Sequence, residues 1–105
     1  MKVKLFESQA KAKEVLNDNE PRLVRAEGKE ICIVRKGERI FAFQNACAHM
    51  GENLHKGKTN YLDEIVCPLH TYRFNMKTGE EAEQRCKSLQ IYEVITDPDG
   101  IYLVE

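Results

Sequence analysis

The sequence predicts an all-β protein, an antiparallel sandwich with one short helix near its N-terminus. Three observations predict it. Short runs rich in β-branched and aromatic residues recur at roughly 8–12-residue spacing, each closed by a turn signal. Helical periodicity is confined to one stretch close to the start of the chain. The chain ends in two apolar runs joined across Asp97-Pro98-Asp99-Gly100, a strong hairpin sequence.

In chain order, "KVKLF" alternates polar and apolar residues as a half-buried edge strand does. "SQAKAKEVLND" supplies the helix, with Ser8 as its N-cap, Ala12, Val15 and Leu16 as a narrow apolar face, and Pro21 ending the pattern. "RLVRA", "EICIVRK" and "RIFAFQ" follow as strands, separated by turns at Glu27-Gly28 and Gly37-Glu38. "EIV" and "YRFNM" form the next pair, the latter closed by "KTGE", and "LQIYEVIT" and "IYLVE" make the final hairpin.

At 105 residues the chain is expected to be one domain, 1–105, with a single modest core. Its hydrophobic content of 42% and charged content of 31% exclude disorder. A formal charge of −1, with both signs mixed along the chain, offers no attraction to a phosphate backbone, so no nucleic-acid partner is expected. No apolar run approaches the ~20 residues that cross a bilayer, and no signal-peptide core is visible. The expected setting is cytoplasmic, away from membranes, with reduced thiols.

Chemistry concentrates in two loops. Cys47-x-His49 leaves one strand, and Cys67-x-x-His70 leaves another after seventeen intervening residues. A thiolate and an imidazole one or two residues apart can point at the same place, and two such loops can close four ligands around an inorganic centre. Tetrahedral zinc accepts this donor set, although zinc knuckles usually pair cysteine with cysteine and histidine with histidine. Mixed loops suit a dinuclear centre, with the two thiolates on one iron and the two imidazoles on the other.

Together with "CAHMG", "NLHKG", "CPLH" and "YRFNMKTG", this spacing resembles that of the Rieske [2Fe–2S] ferredoxins across nearly the whole chain. The resemblance implies an antiparallel sandwich with an inserted cluster-binding subdomain over approximately residues 45–76. It implies one [2Fe–2S] cluster, with Cys47 and Cys67 on the inner iron and His49 and His70 on an outer, solvent-facing iron. Ala48, Leu69 and Thr71 depart from the common proline, tryptophan and glycine at their positions, and Thr71 implies a backbone with no need of a glycine-only conformation.

High-potential members of the resembling family carry a loop disulfide and hydroxyl donors to the cluster. Glu52 and Leu69 stand at the cysteine positions, and Tyr72 and Phe74 at the serine and tyrosine positions. Fewer donors mean less stabilisation of the reduced state, so a low-potential centre is implied. The resemblance points to a stand-alone carrier that passes single electrons from a flavoprotein reductase to a terminal oxygenase. The alternatives are a small subunit of an NAD(P)H-dependent nitrite reductase-like complex and a zinc-held adaptor. Cys32 is expected to be a buried apolar residue, Cys86 a free thiol in a polar loop, and His55 a solvated surface histidine.

Overall fold

The computed structural model describes residues 2–105. Its first strand, β1 (Lys2–Phe6), leads into helix α1 (Gln9–Val15). Ser8 is extended and its hydroxyl accepts a hydrogen bond from the Lys11 amide at 3.1 Å, as an N-cap does. Ala12 and Leu16 are buried, but Val15 is not. The helix ends there, Leu16 turns extended, and the expected third apolar position swings outward. The Arg35 guanidinium, from the strand alongside, donates to the Leu16 carbonyl at 2.9 Å and ties the helix end to the sheet.

The remaining strands are β2 (Arg22–Ala26), β3 (Lys29–Lys36), β4 (Arg39–Gln44), β5 (Lys58–Thr59), β6 (Glu64–Val66), β7 (Arg73–Asn75), β8 (Ile91–Asp97) and β9 (Gly100–Val104). A 3-10 turn covers Leu54–Lys56. The strands form a six-stranded sheet in the order β1-β9-β8-β4-β3-β2 and a three-stranded sheet in the order β5-β6-β7, with antiparallel pairing throughout. β5 escaped the sequence reading because two residues carry no periodicity; its pairing Lys58↔Val66 and Thr59↔Ile65 defines it.

The larger sheet consists of two triplets joined by a short seam, Ala42↔Tyr92 and Phe43↔Ile91. Ile31, Ile33 and Ala42 of one triplet meet Tyr92 and Leu103 of the other, with Leu16 from the helix end. Cys32, Val34, Phe41 and Phe43 form a second cluster with Ile65, Phe74 and Met76 beneath the smaller sheet. There are thus two clusters where a single core was expected. The run Ile31-Cys32-Ile33-Val34 is buried on both faces, which is why it reads as continuous rather than alternating. The final hairpin turns through Pro98 and Asp99 with Asp97 opposite Gly100, as its sequence predicted.

Phe43→Ala removes a fully buried ring at the junction of the two triplets and should cost about 3–5 kcal/mol. Val15→Ala, at an exposed position, should change stability by less than about 0.5 kcal/mol. Urea unfolding of both variants against the parent chain measures the contrast.

Candidate metal centre

The two Cys–His loops are built alike. The Cys47 amide donates to the Glu52 carbonyl at 2.8 Å, and the Cys67 amide donates to the Tyr72 carbonyl at 2.8 Å. Each loop is therefore closed by a bond from its cysteine to the residue five positions on. The first is further tightened by the Gly51 amide donating to the Cys47 carbonyl at 2.7 Å, with Gly51 at φ +75°. The second springs directly from β6 and returns directly into β7.

The second loop corrects one expectation. His70 and Thr71 lie in the left-handed region, at φ +67° and +55°. Thr71 thus adopts the conformation that glycine would occupy freely. Two successive left-handed residues turn the chain sharply enough to stand His70 out into solvent. For a β-branched residue this costs about 1–2 kcal/mol, and the Thr71 hydroxyl offsets part of it by donating to the His70 carbonyl at 2.7 Å.

The loops bring the predicted residues together as two pairs, Cys47 with Cys67 and His49 with His70. Cys47 and Cys67 are buried, at 3% and 1% exposure, within the second apolar cluster. Burial is the first cause that pushes the Cys67 thiol up to about 11, and the neighbouring Cys47 thiol and the Glu52 carboxylate act in the same direction. Two adjacent buried thiols do not ionise together unless a cation compensates them. The His49 and His70 ring centroids lie 5.5 Å apart and are tilted by 56°. Only His70 is exposed; His49 is half-buried under Tyr72, whose ring stacks on it at 3.9 Å and 9°. Both were expected to face solvent, and the structure makes them an asymmetric pair.

His49 Nδ1 is a buried polar atom without a hydrogen-bond partner. Buried polar atoms are nearly always satisfied, so an orphaned ring nitrogen in a Cys–His loop is what a ligand position would show. Among the described residues no three His, Cys, Asp or Glu side chains converge on one point, as a mononuclear ion would require. The four instead divide into a thiol pair and an imidazole pair, a donor set that fits a dinuclear centre.

The comparisons with known proteins bear on that donor set. Residues 7–93 match the Rieske [2Fe–2S] domain. The chain belongs to the Rieske family. Membership implies a Rieske-type [2Fe–2S] cluster. The naphthalene 1,2-dioxygenase ferredoxin component of Pseudomonas putida is 39% identical over 59 residues, 54% of each chain. The chain thus spans about half the length of the first curated relatives it matches. Ferredoxin CarAc of Metapseudomonas resinovorans is 29% identical over 83 residues, 78% of this chain and 77% of its own. Among solved structures, the ferredoxin of carbazole 1,9a-dioxygenase from Nocardioides aromaticivorans superposes with a TM-score of 0.83 at 27% identity, over 97% of both chains.

Other residues around the two loops were invisible in the sequence. Asn45 is fully buried; its Nδ2 donates to Asn53 Oδ1 at 3.1 Å and lies 3.0 Å from His55 Nδ1, while its Oδ1 accepts from the His55 amide at 2.9 Å. It braces the first ligand loop to the 3-10 turn. His55 is accordingly half-buried and bonded to Asn45, which corrects its reading as a solvated surface histidine. Nothing in "QNACAH" announces that brace, since an asparagine at a strand end is as often a turn residue. Cys32 is buried as expected, and burial pushes its thiol up to about 12. Cys86 is a free thiol, but it is half-buried against the second cluster rather than solvated, and burial raises its pKa. Glu81 is almost fully buried and is gripped by Arg85 through Nε at 3.1 Å and Nη2 at 2.7 Å.

Thr71→Gly should stabilise the fold by up to about 1 kcal/mol, the relief of strain exceeding the added freedom of the unfolded chain. Gly51→Ala, at φ +75° with open space for the new methyl, should destabilise by about 1 kcal/mol. Thermal unfolding that shows opposite signs confirms the backbone account. The Arg85 guanidinium holds the Glu81 carboxyl down from its ordinary 4.5 to about 2. A depressed carboxyl contributes stability that is complete above pH 4.5 and lost as pH falls towards 2. Glu81→Gln should therefore lower stability at neutral pH while flattening the acid limb across that window, as read by denaturant unfolding at several pH values.

Proposed function

We propose that the chain is a single Rieske domain, residues 1–105, with a cluster-binding subdomain over approximately 45–76, and that it works as a low-potential one-electron carrier. Cys47 and Cys67 hold the inner iron and His49 and His70 the outer. The observation that carries the assignment is the orphaned, buried His49 Nδ1, in a loop whose buried Cys47 is paired with the buried Cys67. When bound, the cluster supplies reversible uptake of one electron. With two ferric ions, two sulfides and two thiolates, the oxidised centre is formally neutral, which makes that uptake easier than at an all-cysteine centre.

The protein's own residues divide the remaining work. The closed loops fix the ligands, and the second apolar cluster keeps water from the thiols. His70 stands exposed beside its chain neighbour Leu69, at 37% exposure, and with Met50 of the first loop, at 61%, offers apolar surface where a partner approaches. Phe74 is fully buried beside the thiols and has no hydroxyl to offer them, which supports a potential at the low end.

The relatives' names support a place between a flavoprotein reductase and a terminal oxygenase. A ferredoxin 25% identical to this chain, with a TM-score of 0.80, is solved in complex with the oxygenase of carbazole 1,9a-dioxygenase. The likeness to a chain named for the NADH-dependent nitrite reductase small subunit of Mycobacterium tuberculosis, at 16% identity and a TM-score of 0.80, is one of fold alone. A cytoplasmic setting belongs to this reading and is supported by the four unpaired thiols. Among the described residues no helix is long and apolar enough to cross a membrane.

The purified chain should contain iron and acid-labile sulfide in equal amounts and be red-brown. Cys67→Ser should abolish the centre, whereas Cys32→Ser should retain it; a colourless protein holding one zinc would overturn the reading. The midpoint potential at neutral pH should be about −150 mV, at the bottom of the Rieske range. Voltammetry placing it well above zero would remove the case for a reductase-fed carrier.

A further inference from the structure

Outside the four ligands, one connected set of side chains leads from a buried charge to the site. The Glu81 side chain has no exposed surface, and Oε1 accepts from the amides of Glu83 and Arg85 at 3.2 and 2.9 Å. Its two oxygens also take the Arg85 guanidinium in a bidentate grip. That guanidinium lies over the Tyr72 ring, 3.8 Å from its centroid. The opposite partner of Tyr72 is His49, stacked at 3.9 Å and nearly parallel. The order is carboxylate, guanidinium, phenol, imidazole.

The segment that carries Glu81 and Arg85 is strapped to β7. The Ala82 amide donates to the Arg73 carbonyl at 2.8 Å, and the Asn75 amide donates to the Glu80 carbonyl at 2.9 Å. Gly79 allows this at φ +83°, since a Cβ there would fall 2.3 Å from the Leu89 carbonyl oxygen. Arg85 is therefore held from behind by an immobile carboxylate, and its flat face is free to press on Tyr72. The Glu83 carboxylate lies farther off at 3.6 Å and is mostly exposed, so it is a weak competitor for the guanidinium.

We propose that Arg85 is a positioning residue of the electron-transfer centre: it clamps Tyr72 against His49 and sets a positive charge on the cluster side of Glu81. This rests on the assignment of His49 as an iron ligand. The stack shelters one face of that imidazole and fixes its rotation. The ion pair is neutral as a whole, but its cation lies nearer the site than its anion does. A cation so placed favours the state that carries the extra electron. It offsets part of what is lost through the missing hydroxyl at Phe74. A planar guanidinium suits this role better than an ammonium, because it can stack on the ring while its edge remains bonded to the carboxylate.

The test is a redox titration monitored by electron-spin resonance on the parent protein and on Arg85→Gln, Glu81→Gln and Arg85→Lys, each checked first for its iron–sulfur absorption. Arg85→Gln should lower the electron affinity by up to tenfold, about 59 mV for a one-electron couple. Glu81→Gln leaves the cation uncompensated and should raise the potential. Arg85→Lys keeps the charge and should return the value towards that of the parent. A purely structural role would move both neutral variants the same way, and that result, or unmoved potentials, overturns the inference. Should Glu81→Gln fail to hold its centre, the Gln and Lys variants of Arg85 decide alone: equal potentials for the two overturn the proposal. A parent protein with no iron–sulfur absorption overturns the ligand assignment itself, which separates the two failures.

Discussion

Four consecutive apolar side chains in β3, Ile31 to Val34, are buried, and their alternation sends two into each of two clusters. The larger sheet closes on itself through one face of this strand, and the smaller sheet rests on the other. Neither cluster is large, and a chain of 105 residues has little apolar surface to spare. Sharing one wall between two packed layers lets both exist. Both loops pack their cysteines into the second cluster, so the geometry of the site is tied to the burial of Cys32 and Val34.

Within that layer, apolar packing alone does not place the ligands. Rigidity at the first loop comes from one buried amide, Asn45, which satisfies three partners at once. At the second it comes from two left-handed residues whose strain is held by the strands on either side. Fully satisfied polar groups in a low-dielectric interior fix a single arrangement, because every alternative leaves an unpaired atom. The buried ring nitrogen left unpaired at the site, His49 Nδ1, is then conspicuous.

The two loops share a closure but not an environment. His49 lies beneath a stack that ends in an ion pair whose carboxylate alone is buried, and His70 faces solvent. Such a division separates two demands on one centre. In the proposed carrier the sheltered imidazole would keep a defined electrostatic setting, while the exposed one would offer a short path to a partner. Pairing the Arg85 cation with a fully buried carboxylate keeps it in place without leaving a net charge inside the protein.

The longer strands in chain order, the Ser8 cap and the last hairpin were legible in the sequence, because each is written in neighbouring residues, and the four candidate ligands stand out for the same reason. Periodicity reports which face of a strand is buried, and metal loops keep their ligands within a few positions. What the sequence could not decide depends on residues far apart in the chain. Asn45 acquires its role only when His55 and Asn53 fold back onto it, and Tyr72 becomes a stacking partner only when the second loop meets the first. The left-handed conformation of Thr71 runs against its own preference and is imposed by the loop closure from Cys67 to Tyr72. The charge of Arg85 is visible in the sequence, but its place over an imidazole's neighbour is fixed by the tertiary structure, where Glu81 is buried behind it.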